Sequence, residues 1–225
     1  MMRLAPVLAG GFLLITLGSA SAATVVEQAS LASTALPTGG LNATLTIDRF
    51  DVANATLTAI ELQFTGGVSG TVSLTRLNNG PRVQAYPVEL GADFALTVGP
   101  SAVAELQDVV ASGSISIDKN AALTGSASLS TSGSVTAALA PALFAQFIGP
   151  GSVNVALAIL RDNLVTAPTN APLASQTFDN FASAELMVTY TYTANDAVVP
   201  EPLSLSMFGL GLLGLAVVRR RAADS

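Results

Sequence analysis

The sequence predicts an all-β protein, an antiparallel β-sandwich or a jelly-roll-like variant of it. Three observations carry that expectation. From Leu41 onwards apolar and polar residues alternate with a period of two, the alternating segments are rich in Thr, Val and Ser, and turn-forming Gly, Pro and Asn recur between them. Period two sends successive side chains to opposite faces, as a strand with one buried face requires. Half of the 225 residues are apolar and 11% are charged, so the chain can bury a core. About eight to ten short strands in one domain are expected, with no repeat that would mark a solenoid or propeller.

The elements follow in order. Residues 23–40 form a lead-in with one edge strand around Thr24 to Ala29, ending in the turn Pro37-Thr38-Gly39-Gly40. "ATLTIDRF" places Leu45 and Ile47 on one face. "ATLTAIELQF" places Leu57 there, then Ile60, Leu62 and Phe64 after a slip of phase. "GTVSLTR" sets Val72 and Leu74 against Thr71, Ser73 and Thr75. Asn78-Asn79-Gly80-Pro81 is a turn by its chemistry. Further strands are expected at "RVQAYPVEL", "DFALTV", "GSISID", "TGSASLSTSGSVTAAL" and "GSVNVALAIL". Pro87 lacks the donor a ladder needs and implies an edge strand or a bulge. "APALFAQFIGPG" spaces Leu143, Phe144 and Phe147 helically, predicting a helical turn or two that cap one end of the sandwich. "ASAELMVTYTYT" closes the body with Leu186, Val188, Tyr190 and Tyr192 on one face.

Both ends of the chain carry a different kind of information. Arg3 precedes an apolar run to about Leu17, and Ala20-Ser21-Ala22 fits a small-residue cleavage site. That is the build of a secretory signal peptide over residues 1–22, with cleavage between Ala22 and Ala23; the alternative is an uncleaved anchor. At the other end Pro200-Glu201-Pro202 precedes an apolar segment, 203–218, and then Arg219, Arg220 and Arg221. As a helix that segment spans roughly 24 Å. This is short against a hydrocarbon core of ~30 Å, so it makes a marginal transmembrane helix suited to temporary residence. The arginines favour the cytoplasmic side. The alternative, a buried C-terminal helix, is opposed by the arginines and by the lack of a polar face.

The order Pro-Glu-Pro, apolar glycine-bearing helix and arginine cluster resembles the PEP-CTERM sorting signal of Gram-negative bacteria. Val199-Pro200-Glu201-Pro202 matches its start, and Gly209, Gly211 and Gly214 match its apolar stretch. The resemblance implies processing by exosortase, which would remove the helix and pass the body to the cell surface or extracellular matrix. The body itself, from about Leu41 to Thr193, resembles the choice-of-anchor E domain. That resemblance rests on "LTAIELQFTGGVSGTVSLT", "LFAQFIGPGSVNVAL" and the closing "VTYTYT", although Ile148 stands where that family commonly has Thr and Pro150 interrupts. It implies a surface-displayed β domain and brings no catalytic residues. The expected organisation is a signal peptide (1–22), a β body (23–197) and a sorting signal (198–225).

Composition excludes several chemistries. There is no histidine and no cysteine, so Ser-His-Asp and Cys-His mechanisms, disulfides and thiolate metal sites are ruled out. The formal charge is −6, and Arg49, Arg76, Arg82, Lys119 and Arg161 are scattered, which argues against nucleic acid as a partner. Gly209 to Gly214 spells G-x-G-x-x-G, but the chain ends before the acidic residue a dinucleotide site needs. Leu36 to Gly40, "LPTGG", lacks the spacer of a sortase motif and reads as a turn. Asp48 and Asp51, with Asn54, supply too few oxygens for calcium, and Asp93, Asp118, Asp162 and Asp179 are expected singly at strand ends.

No catalytic residue, metal or cofactor is therefore expected, and the protein is not expected to be an enzyme. The expected role is structural or adhesive, in an exported protein that meets exosortase, the inner membrane transiently and exopolysaccharide. One alternative is a carbohydrate-binding module using an exposed pair, Tyr86 with Tyr190 or Tyr192. Another is a hydrolase with two carboxylates.

Overall fold

The computed structural model describes residues 22–77, 83–118 and 123–195. Eight strands build two four-stranded antiparallel sheets: β1 (Ala22–Ala35), β2 (Leu41–Asp48), β3 (Ala55–Arg76), β4 (Gln84–Val98), β5 (Ser101–Ile117), β6 (Thr124–Ala138), β7 (Ser152–Val165) and β8 (Leu173–Ala194). One sheet has the order β1-β8-β3-β6 and the other β2-β7-β4-β5. Strand β1 pairs with β8, β2 with β7, β3 with β6 and β4 with β5, as in one long hairpin rolled up on itself. The pairs β3–β8 and β4–β7 then zip the roll into two sheets. This is the double Greek key of a jelly roll, so the all-β sandwich expected from the alternation is present in its jelly-roll form.

The buried set follows the period-two pattern. Ile60, Leu62, Phe64, Val72 and Leu74 of β3 face Val88, Leu90, Phe94 and Leu96 of β4, and Leu186, Val188 and Tyr190 of β8 complete the same layer. Phe64 and Phe94 meet across the sandwich with ring centroids 5.8 Å apart. Burying each such side chain contributes about 1.5–3 kcal/mol. The slip of phase between Leu57 and Ile60 is a β-bulge: the β3–β8 register shifts between Leu57 and Ala59, and the Thr58 hydroxyl donates to the Thr191 carbonyl at 2.9 Å.

Several expectations need correction. The strands are long rather than short, because segments separated by glycine in the sequence are continuous. "ATLTAIELQF" and "GTVSLTR" are one strand, β3, running through Gly66 and Gly70. Those glycines mark close approach instead of a turn. A Cβ on Gly66 would lie 2.9 Å from the Phe94 ring, and one on Gly70 would strike the Asp179 carbonyl. "RVQAYPVEL" and "DFALTV" likewise merge into β4, and "GSISID" is only the last part of β5. The first part of β5 escaped the alternation because its register against β4 shifts around Asp108, whose φ is +57°.

Pro87 is neither on an edge strand nor at a bulge, since β4 lies between β7 and β5 and no register shift occurs there. The β4–β7 ladder begins one residue on, at Val88–Val165, and the Pro87 carbonyl accepts from the Thr166 N–H at 3.0 Å. The missing N–H thus points to where no strand needs it. Asp93, Asp162 and Asp179 sit inside strands rather than at their ends, a consequence of the same merging, whereas Asp118 follows β5. The expected turn at Asn78 to Pro81 lies outside the described residues.

The predicted cap is present. A 3-10 turn, Pro141–Leu143, leads into a single helical turn, α1 (Phe144–Phe147). Its loop grips the chain after β2: the Phe50 N–H donates to the Phe147 carbonyl at 2.8 Å and the Gly149 N–H to the Phe50 carbonyl at 3.0 Å.

Candidate functional site

The jelly roll has two unlike ends, and β8 runs between them. From Phe178 to Tyr190 the strand covers about 40 Å. At the α1 end the space between the sheets is filled by aromatic rings. Phe50 lies 5.8 Å from Tyr190 and 5.2 Å from Tyr192, and Phe147 lies 6.5 Å from Tyr190. The Tyr190 hydroxyl donates to the Asp48 carbonyl at 2.9 Å. Burial, and then the Glu27 and Asp48 carboxylates nearby, push the Tyr190 phenol well above its ordinary range, with Arg49 pulling the other way.

The opposite end is polar. Along β7 the inward positions are Val153, Val155, Leu157 and Ile159, and then Arg161 and Asn163. The outward positions there are Leu160 and Leu164, exposed at 60% and 53%. The polarity of the strand has inverted while its ladder to β4 continues in register through Ala92–Arg161 and Leu90–Asn163. On the facing sheet Gln176, Phe178 and Asn180 occupy the inward positions of β8, opposite Leu74, Val72 and Gly70 of β3. Arg76 and Asn180, the two buried residues that are polar or charged among the described ones, both lie at this end.

Neither β1 nor β2 covers this region. Pairing of β2 with β7 stops at Ile159, and pairing of β1 with β8 stops at Phe181. Between them the turn Leu36 to Gly40, read correctly as a turn, buries Leu36 and is closed by the Gly40 N–H donating to the Pro37 carbonyl at 3.0 Å. What remains is a groove of about 520 Å3 lined by Thr38, Arg161, Asn163, Gln176, Thr177 and Phe178. The Arg161 guanidinium carbon stands 5.1 Å from the centre of the Phe178 ring. Asn163 Oδ1 accepts from the Gly91 N–H at 3.2 Å and from Asn180 Nδ2 at 3.0 Å. Because the Gly91 N–H can only donate, the Asn163 amide has a fixed orientation, and its Nδ2 donor has no partner among the described residues.

The residues singled out in the sequence are placed as follows. Tyr86 and Tyr190 are fully buried and Tyr192 is half-buried in the aromatic end, so no exposed tyrosine pair exists to stack on a sugar. The Tyr86 hydroxyl instead donates to the Ala171 carbonyl at 3.2 Å. Asp48 ends β2, Asp51 follows the cap contact, and Asn54 takes a left-handed turn with φ +55°. Among the described residues no three acidic side chains gather to hold a metal ion. Asp93 and Glu105 share a depression of about 240 Å3 with Leu160, but Asp93 Oδ1 is engaged by the Asp108 N–H at 2.8 Å, which fixes the β4–β5 bulge. Ala22 and Ala23 open β1 opposite Thr193 and Tyr192. Residues 1–21 of the expected signal peptide, the expected helix 203–218, and Pro200, Glu201, Pro202, Arg219, Arg220 and Arg221 lie outside the described residues. No helix among the described residues is long and apolar enough to cross a membrane.

A jelly-roll body followed directly by a proline-glutamate-proline tail defines a protein that carries its own delivery signal. The tail matches the family model of the PEP-CTERM protein-sorting motif over residues 198–221, which includes all six residues named above. The chain thus bears a sorting signal that implies export, transient membrane anchoring and processing by exosortase. No curated protein matches the chain. Solved structures of infectious bursal disease virus are similar only distantly. The Gx strain gives 13% identity and a TM-score of 0.23 over 77% of this chain and 37% of that one. The Gt strain gives 12% and 0.12 over 84% and 47%. This chain spans less than half the length of either, and such likeness carries no argument about it.

Proposed function

We propose that this is a non-enzymatic protein displayed at the surface, or in the extracellular matrix, of a Gram-negative bacterium, with a structural or adhesive role. The signal peptide, 1–22, exports the chain; the helix 203–218 parks it in the inner membrane with Arg219 to Arg221 inside; exosortase then removes that helix and frees the body, 23–197. The observation that carries the reading is the sorting motif at 198–221, set close behind the last strand, β8. The choice-of-anchor E resemblance of the body supports the same reading. A stiff antiparallel roll with long paired strands suits a displayed scaffold. The hydrolase alternative gains nothing from Asp93, whose carboxylate holds a bulge.

Carbohydrate binding remains the second reading, now resting on the polar groove in place of the tyrosines. The sorting step is tested by fractionating an exosortase-positive host. Wild-type protein is expected to leave the inner membrane, whereas a variant with Pro200, Glu201 and Pro202 all changed to Ala accumulates there as a periplasm-facing precursor. Equal distribution of the two would contradict the reading.

A further inference from the structure

We infer that the groove between β7 and β8 is a binding site for a carboxylate-bearing sugar, a uronate unit of an acidic polysaccharide. The inference deepens the matrix reading above and rests on it only for the source of the polymer; the binding itself is a property of the groove.

The first support is the inverted polarity of β7. A register slip of one residue would bury Leu160 and Leu164 and expose Arg161 and Asn163, but it would also expose Val153, Val155, Leu157 and Ile159, so the core residues fix the register and the polar pair is carried inward with them. The ladder to β4 keeps that register. A strand that keeps two leucines in solvent and aims a guanidinium and an amide between two sheets violates the rule that governs the rest of the molecule. Such violations are expected where function is placed.

The second support is the chemistry of the lining. Among the described lining residues Arg161 supplies the one charge; Thr38, Asn163, Gln176, Thr177 and Phe178 are neutral. Its guanidinium is held against the Phe178 ring, which limits its rotamers and leaves the N–H fork to meet a planar anion. A carboxylate accepts two parallel N–H bonds from such a fork. The surrounding hydroxyls and amides both donate and accept, which fits the hydroxyl-rich remainder of a pyranose. Asn163 Nδ2 adds a donor that nothing among the described residues satisfies.

An acidic peptide is the competing class. It would bind by adding a strand to an open edge through main-chain hydrogen bonds. Strand edges are open here, β7 past Ile159 and β8 before Phe181, but Arg161, the cation that would meet the acid, stands between the inner faces and not along either edge, so the sugar is favoured.

The test is calorimetric titration of the full chain in detergent with tetragalacturonate, with its carboxyl-reduced neutral counterpart, and with tetraglutamate. Tetragalacturonate is expected to bind at least about tenfold more tightly than either of the others, with affinity falling as salt rises. Arg161→Gln is expected to remove that preference, while Leu160→Ala, on the outer face, keeps it; thermal melting of each variant separates lost binding from lost fold. If Arg161→Gln fails to fold, Gln176→Ala, at an inward but exposed position, is expected to weaken tetragalacturonate binding several-fold. No binding of tetragalacturonate, equal binding of the neutral sugar, or tighter binding of tetraglutamate overturns the inference. Because the titration needs no processing, it fails or succeeds independently of the sorting reading.

Discussion

The two ends of the roll use the same inward positions for opposite purposes. At the α1 end Phe50, Phe147 and Tyr190 close the sandwich with rings, and the hydroxyl they bury is satisfied by the Asp48 carbonyl. At the other end Arg161, Asn163, Gln176 and Asn180 stand where rings could have stood, and among the described residues Asn163 Nδ2, Asn180 Oδ1 and two nitrogens of Arg76 find no partner there, against Arg49 Nε alone at the α1 end. Each buried polar group left unpaired costs about 1–3 kcal/mol. The aromatic end therefore stabilises the fold, while the polar end spends some of that stability. Among the described residues one end is closed by rings and the other is lined by polar side chains, and the proposed binding groove lies at the second.

Substitutions at the two ends sharpen the contrast. The largest effect is expected from Phe147→Ala, which empties a fully buried site beneath the cap; a loss of about 3–5 kcal/mol should appear in denaturant unfolding. Tyr190→Phe comes next. It removes the hydrogen bond to the Asp48 carbonyl, costing about 1 kcal/mol at neutral pH.

It also changes the response to alkali. The phenol is raised above its unfolded value of about 10, so its contribution is complete below that pH and is lost as pH rises beyond it. Wild type is expected to lose stability above about pH 10 more steeply than Tyr190→Phe, as chemical unfolding over a pH series would show. The smallest effect is expected from Arg161→Leu at the polar end. Replacing a partly buried charge with an apolar side chain of similar reach is near neutral or stabilising, within about 1 kcal/mol. A loss as large as that of Phe147→Ala would erase the distinction between the ends.

The sequence made some of this legible and hid the rest for physical reasons. Alternation exposes the fold class directly, because a half-buried strand must alternate. The slip between Leu57 and Ile60 announced the bulge at Thr58, and the spacing of Leu143, Phe144 and Phe147 announced the cap. The sorting tail was readable because its three parts are local and ordered. Strand length was not readable: Gly66 and Gly70 carry turn chemistry but serve close packing, and that depends on Phe94 and Asp179, which are distant in sequence. The exposed pair that a carbohydrate-binding module would need, Tyr86 with Tyr190 or Tyr192, is absent because Tyr86 and Tyr190 take the inner face, which a lone tyrosine does not declare in the sequence.

The groove escaped for a related reason. "LRDNLV" alternates perfectly well; only its register against β4 reveals that the leucines face out. The signal was present at the boundary between Ile159 and Leu160, where two apolar residues in succession mark the inversion.

A groove for an external polymer has a use only if the body reaches the outside freed of its tether. Intact-mass measurement of the protein recovered from surface and membrane fractions, in an exosortase-positive host and its exosortase deletion, tests this most directly. The account predicts a surface form that begins at Ala23 and has lost Leu203 to Ser225, and a full-tailed form retained in the membrane of the deletion strain. A surface form that keeps the whole tail while exosortase is active would contradict it.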